Sequence, residues 1–329
     1  MTKLSVLDLV RVKQGSDARG ALDESRELAV HLERLGYERI WISEHHNTTA
    51  IASAATSLVL AHIGAATSKI RLASGGIMLP NHAPYIIAEQ FGTLARMFPG
   101  RVDLGLGRAP GTDQVAVQAM RRPVNASDSF PQDVLELQNY FSSPTSGQRL
   151  VASPAEGTHV PLTILGSSLF GASMAGEFGL PFAFASHFSP DMLMDALKIY
   201  RERFKPSKQL QRPFAMVGVN VVVAESDEEA QHLVSSQIKS FVDYLGTGNS
   251  GPLAPPIKNL DDYGSLPVKM QVSRMLSCSV VGSVQTVKQG LQSLIKRTSA
   301  DELIVVSDIY EPKARHRSFE LLSTLADEL

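Results

Sequence analysis

Apolar residues recur along this chain in two alternating rhythms. Short, nearly unbroken runs such as Ile40-Trp41-Ile42 and Leu303-Ile304-Val305-Val306 are separated by stretches whose apolar positions fall three or four apart. The runs read as strands buried on both faces, and the spaced stretches as helices with one packed face. Strands are predicted at Leu4 to Leu9, Arg39 to Ser43, Ile70 to Ser74, Val102 to Leu106, Leu162 to Leu165, Phe182 to Ala185, Ala215 to Val223 and Leu303 to Val306. Ala21, Leu22, Ser25, Leu28, Ala29, Leu32 and Leu35 trace the first helix, which Gly36 should stop. Further helices are expected at about Ile51 to Ala66, Tyr85 to Met97, Gln132 to Tyr140, Leu169 to Phe178, Pro190 to Phe204, Ser226 to Tyr244, Ser283 to Lys296 and Ala314 to Leu329.

Strand and helix in strict alternation demand parallel crossovers, and about eight strands is the number that closes a (β/α)8 TIM barrel. The fold class is therefore α/β, with residues 1–329 read as a single barrel domain. Two segments interrupt the rhythm. Gly107 to Pro131 follows the fourth strand, and Gly246 to Val280 precedes the last helix-strand unit; both are polar, rich in Gly, Pro and Ser, and too long for ordinary connections. Insertions of that kind are expected to act as lids. Ser142 to Pro161 also lacks a clear period.

Composition narrows the classes of function. With 31 Lys and Arg against 33 Asp and Glu, the net charge of -2 offers no excess for phosphate backbones or anionic membranes. At 43% hydrophobic the chain can bury a large core. The single cysteine, Cys278, excludes an internal disulfide framework and suits a reducing compartment. The opening residues, Met1 to Asp8, carry too short an apolar stretch for a signal segment, and no later run approaches the ~18 apolar residues of a membrane span. A cytoplasmic location is expected.

Chemistry in a barrel sits at the C-terminal ends of its strands. Read off in order, those ends carry Asp8, Glu44-His45-His46, Gly75-Gly76, Gly107-Arg108, Gly166-Ser167-Ser168 and Ser186-His187. The histidines offer a base near neutral pH. Adjacent histidines on an extended chain point apart, and no Cys, Asp or Glu cluster accompanies them, so no metal is expected. Gly166-Ser167-Ser168 leads into a helix, where a serine can cap and free N–H groups can face an anion. Arg108 adds a fixed positive charge on the same rim. Gly75-Gly76 removes two side chains where a flat ligand could approach, or marks a tight turn. Asp103 and His82 are expected to be structural, the first in a polar interior layer and the second at a helix entry. The glycines of Asp103-Leu104-Gly105-Leu106-Gly107 lack the third glycine of a dinucleotide fingerprint.

At these residues a family pattern emerges. Gly36 through His46, Ser74 through His82, Ala88 through Leu94, Pro99 through Gly111 and Gly179 through Phe188 closely resemble the bacterial luciferase-like flavin-dependent monooxygenases, most nearly the alkanal monooxygenase-like branch. The likeness runs over essentially the whole chain, to the late helix start Val281-Gly282-Ser283. It implies non-covalent FMN at the barrel mouth, reduced by a separate NAD(P)H-flavin reductase and used with O2 on a small organic substrate such as an aldehyde or ketone. It implies His45 as the catalytic imidazole, and Gly75 and Gly76 beside the flavin ring, joined by the family's non-prolyl cis peptide. Arg108, Ala109, Gly166, Ser167 and Ser168 then serve the cofactor, with Arg121 or Arg122 as a second phosphate contact. Glu44, His46, Met78 and His187 are expected in the substrate pocket. A homodimer through the helices after strands two and three is implied, with no nucleic-acid or membrane partner.

Two departures stand out. Phe170-Gly171 replaces the Tyr-Ser common among relatives, and Gly107 stands where the luciferases proper carry a reactive cysteine, which counts against light emission. Two rival functions stay open at this point: hydride transfer with FMN or the deazaflavin F420, and flavin binding without turnover.

Overall fold

The computed structural model describes residues 2–123, 125–249, 251–260 and 263–329; Met1 lies outside the described residues, as do Val124, Ser250, Asp261 and Asp262 in the two long insertions. The strands are β1 (Lys3–Asp8), β2 (Arg39–Ile42), β3 (Arg71–Ser74), β4 (Ile77–Met78), β5 (Val102–Gly107), β6 (Leu162–Gly166), β7 (Phe182–Phe184), β8 (Ala215–Ala224), β9 (Val280–Ser283) and β10 (Glu302–Val306). β1, β2, β3, β5, β6, β7, β8 and β10 pair side by side in parallel, and β10 returns to β1, closing the ring. This is a TIM-type barrel. β4 is a short addition to β5, and β9 pairs with the outer half of β8 beyond the ring.

Alternation of side chains along each strand builds two separate cores. Leu4, Val6, Leu303 and Val305 face outward into the main cluster against the helices, whereas Leu7, Trp41, Ala73, Met216, Ile304 and Val306 fill the interior. Below that apolar interior lies a charged floor. Asp103 accepts from Arg39 Nη1 at 2.9 Å and from Arg71 Nε and Nη2 at 2.8 and 2.6 Å, while Arg39 Nε sits 3.0 Å from Glu302. The polar layer expected around Asp103 is thus an ion network at the N-terminal end of the ring.

The helices are α1 (Ala18–Arg34), α2 (Thr56–Gly64), α3 (Pro84–Met97), α4 (Gln114–Ala119), α5 (Phe130–Phe141), α6 (Leu169–Phe178), α7 (Leu193–Arg203), α8 (Asp227–Thr247), α9 (Leu266–Met275), α10 (Val284–Thr298) and α11 (Pro312–Ser323). No helix among the described residues is long and apolar enough to cross a membrane. α1 shows the local logic: Asp17 caps Gly20 N at 2.9 Å, and Ala21, Ser25, Leu28, Ala29 and Leu32 form the buried stripe.

Four elements differ from expectation. α2 begins at Thr56 rather than near Ile51, because residues 50–52 are drawn into extended pairing with Val10 and Val12 instead. The late insertion contains α9 and, at its end, β9; the one after β5 contains α4. α4 buries no residue and α9 buries only Val272, so neither leaves the apolar period by which a helix is read from sequence.

Candidate active site

The C-terminal ends of the ring enclose a cavity of about 1680 Å³, deep enough that Leu7, Trp41, Ile304 and Val306 of the barrel interior form its base. His45, Gly75, Gly76, Met78, Arg108, Ala109, Gly166, Ser167, Ser168 and His187 all line it. Residues chosen from five of the six strand ends therefore meet around one space, while Asp8, from the sixth, lies outside its lining and pairs with Arg315.

The glycine pair after β3 lies against the backbone of β5. A Cβ on Gly76 would stand 2.9 Å from the carbonyl oxygen of Gly105, and one on Gly105 would stand 2.1 Å from that of Ser74. Only hydrogen fits at either position. Ser74 locks the two strands by donating to Gly105 O at 2.9 Å and accepting from Gly105 N at 2.9 Å. The Gly75–Gly76 peptide is cis, as the resemblance implies.

His45 follows β2. Its Nδ1 lies 3.2 Å from Ser43 Oγ, and no described residue hydrogen-bonds to Nε2, which is left for the cavity. Burial, helped by the nearby Arg11 charge, pulls this imidazole down to about 4. Burial does the same to His187, also to about 4, with His45 as a further repulsive neighbour. Both rings are therefore neutral at physiological pH, so each can accept a proton rather than merely donate one.

Glu44 departs from its expected place in the substrate pocket. It is 1% exposed, lies outside the cavity lining, and spends its carboxylate on three donors. Oε1 accepts from His46 Nε2 at 2.7 Å and from His82 Nε2 at 2.8 Å, and Oε2 accepts from Met78 N at 3.0 Å. Burial alone would raise this acid, yet those hydrogen bonds outweigh it and hold the carboxyl at about 2. The expectation that no Cys, Asp or Glu cluster accompanies the histidines is thereby corrected, since Glu44 gathers His46 and His82. Glu44, His46 and His82 bring ligating atoms within 4.8 Å of one another, but both imidazoles converge on a single oxygen at hydrogen-bonding distance, which is the geometry of a tether. It ties the loop after β2 to β4 and to the entry of α3. His82 has a role that its place at a helix entry did not reveal, since its partner is 38 residues earlier.

On the other side of the mouth, Arg108 leaves β5 and lays its guanidinium over the Phe170 ring, 4.2 Å from the centroid. The guanidinium makes no hydrogen bond or ion pair to any described residue, and only the Arg108 carbonyl accepts, from Ser127 Oγ. Ser168 is the N-cap of α6, but its hydroxyl makes no capping bond, in contrast to the expected cap; neither it nor the Ser167 hydroxyl has a partner among the described residues. A Cβ on Gly166 would meet nothing within 4 Å. A cation, two free hydroxyls, the free amides of a helix start and open space thus converge. Arg121 and Arg122 do not join them: neither lines the cavity, and Arg122 donates to Pro80 O and Ser127 Oγ.

One wall was not foreseen. Arg11, Asn220, Gln237, Ser240 and Asp308 line the cavity on the side of β1, β8 and β10. Arg11 lies three residues past Asp8, in the loop after β1, beyond the strand end itself, and its place in that loop is the sequence signal that marks it. The α8 residues carry no motif that sequence could flag.

An imidazole, a glycine backbone and an unpartnered cation thus meet at the mouth of a parallel barrel, the architecture of a barrel enzyme. The model of the luciferase-like monooxygenases matches residues 2–302, and the chain belongs to that family. A luciferase-like monooxygenase of Escherichia coli (strain K12) is 47% identical over 99% of this chain and 97% of its own length. The N-acetyl-S-alkylcysteine monooxygenase of Bacillus subtilis (strain 168) is 28% identical over 98% of each chain. Among solved structures, apo-MsnO8 superimposes with a TM-score of 0.91 at 34% identity over 100% of this chain and 99% of its own. Two more distant structures share the fold. The oxygenating constituent of 3,6-diketocamphane monooxygenase from Pseudomonas putida, in complex with FMN, matches with a TM-score of 0.75 at 20% identity over 100% of this chain and 99% of its own. An F420-dependent secondary alcohol dehydrogenase matches with a TM-score of 0.68 at 15% identity over 97% of each.

Proposed function

We propose that the protein is a two-component FMN-dependent monooxygenase that oxidises a small organic substrate with O2. The observation that carries this reading is the unpartnered cradle of Arg108, Ser167 and Ser168, in the same cavity as the Gly75–Gly76 backbone and an imidazole kept neutral by burial. Arg108 and the serine hydroxyls would hold the terminal phosphate, with the α6 N-terminus behind them. Gly75 and Gly76, pressed against Leu7, Trp41 and Gly105 O, would offer bare backbone to the ring system. When bound, reduced FMN delivered by a separate reductase supplies, with O2, the oxygen atom that is transferred.

The chain's own residues do the rest. His45 Nε2 accepts or returns a proton at the reacting centre, with Ser43 fixing the ring through Nδ1. Leu7, Trp41, Ile304 and Val306 keep the base of the cavity dry. The single cavity cation on the phosphate side favours FMN over the longer anionic tail of F420, because Arg121 and Arg122 stay outside the lining.

The test is to load the protein anaerobically with reduced FMN, admit 18O2 with aldehydes, ketones and thioethers in turn, and analyse products by mass spectrometry. One labelled oxygen atom in a product is expected. Tight FMN binding with no label in any product, but hydride transfer to or from the same compounds, would replace the reading with a dehydrogenase.

The same proposal includes a homodimer. α2 and α3 pack together and present Leu58, Ile86 and Met97 to solvent at 70%, 46% and 53% exposure, an apolar strip suited to a second copy. Light scattering should give twice the 35.6 kDa chain mass, and Leu58→Asp should halve it.

A further inference from the structure

We propose that Arg11 recognises the substrate, and that the substrate is a small carboxylic acid carrying an apolar, oxidisable body; the oxidisable part of this statement rests on the monooxygenase reading above. The strand order places β1 across the ring from β6, four neighbours away in either direction, so Arg11 stands opposite the phosphate cradle. It therefore faces whatever shares the cavity with the cofactor.

The backbone around Arg11 is held from both sides. Arg11 bridges Ile51, Val12 N donates to Ala50 O at 2.9 Å, and Ala52 N donates to Val10 O at 3.0 Å. On its other edge Leu253 N donates to Val12 O at 2.8 Å, and Gln14 N donates to Leu253 O at 2.9 Å. Loops from opposite ends of the chain thus fix one arginine in place, which lowers the entropy lost when it binds a ligand.

Its guanidinium is only partly used. Nη2 donates to Ser240 Oγ, while Nε stands 3.6 Å from Asp308 Oδ2, an ion pair too long for a hydrogen bond. Nη1 has no partner among the described residues, although the side chain is just 9% exposed and lines the cavity. Arg315, which lines a small neighbouring pocket beside Arg11 and not the large cavity, shows the contrast: it donates to Asp8 at 3.0 Å and to Ser307 O at 2.8 Å. An arginine with an unused edge in a largely dry space calls for a charged acceptor. The cavity that Arg11 lines also carries Leu9, Ile304 and Val306 and, from α8, Phe241 and Tyr244, apolar or aromatic side chains that suit a hydrocarbon or thioether body. His45 is close enough to feel the Arg11 charge, so a molecule anchored at Arg11 extends toward the imidazole.

The probe is N-acetyl-S-benzylcysteine, compared with its methyl ester, titrated by calorimetry into the protein loaded with oxidised FMN, where no turnover occurs. The acid should bind about tenfold tighter than the ester. Arg11→Met should erase that preference while FMN affinity stays within about twofold, and Arg11→Lys, which keeps the charge but loses the fork, should retain part of it. Equal binding of acid and ester, binding of neither, or an acid preference that survives Arg11→Met would overturn the assignment. Adding reduced FMN and O2 then separates the two claims. A preference erased by Arg11→Met without any oxygenated product upholds Arg11 as the carboxylate anchor and removes the monooxygenase reading.

Discussion

The two ends of the barrel use arginine in opposite ways. At the floor, carboxylates clasp both arginines: Asp103 and Glu302 stand 2.9 and 3.0 Å from Arg39, and Arg71 donates to Asp103 and to Gly100 O at 2.6 Å. At the mouth, Arg108 touches only an aromatic face, and the carboxylate nearest Arg11 stands 3.6 Å away. Closely clasped charges hold strands together, and loosely held ones wait for a ligand. The same side chain thus marks structure or function according to how closely carboxylates hold it.

The largest expected effect breaks the floor. Asp103→Ala leaves the buried Arg39 and half-buried Arg71 guanidinium groups without their shared carboxylate and should cost about 3–5 kcal/mol of unfolding free energy, read by urea titration. If stability fell by less than a surface substitution costs, the floor would not be the structural half of the comparison. At the mouth, His45→Ala should lower oxygenated product about 100-fold with FMN affinity and melting temperature nearly intact, because it removes a proton acceptor and no packing anchor. Arg108→Ala should weaken FMN about tenfold, measured by flavin fluorescence, without lowering stability, since no described partner is left unpaired. An unchanged FMN affinity would move the phosphate elsewhere.

The smallest effect is in pH. His45 and His187 sit at about 4 in the folded chain against 6.5 for the free side chain, so between these values the unfolded chain binds more protons. Their neutrality costs stability as pH falls from 6.5 toward 4 and leaves it unaffected above. Glu44, held at about 2 against 4.5, contributes stability above 4.5 that is lost as pH falls toward 2. Unfolding free energy should therefore decline steadily as pH falls below 6.5, and catalysis should show no inflection near 6.5 attributable to His45. A product-rate profile that halves at pH 6.5 and is unchanged in its midpoint by His45→Ala would assign the titrating group to another residue.

Much of this molecule was legible in the sequence. All eight ring strands follow from continuous apolar runs, because burial on both faces leaves no room for polar alternation. The strand-end rule then gathered His45, Gly75, Gly76, Arg108, Ser167 and Ser168 into one cavity before any coordinates were known. The short elements inside the insertions were not legible, since α4 and α9 bury almost nothing and so leave no period.

Tertiary structure alone decided how each polar group is employed. Glu44 reads as a pocket acid in sequence, yet it is turned away to tether His46, His82 and the Met78 amide. Arg11 carries no motif, yet pairing with residues 50–52 and 253 sets it in the cavity with a donor to spare. Local sequence fixes which backbone rhythm a segment adopts, because that depends on its own alternation of apolar and polar positions. Whether a buried charge is satisfied depends on partners tens or hundreds of residues away, and only folding brings those partners within hydrogen-bonding distance.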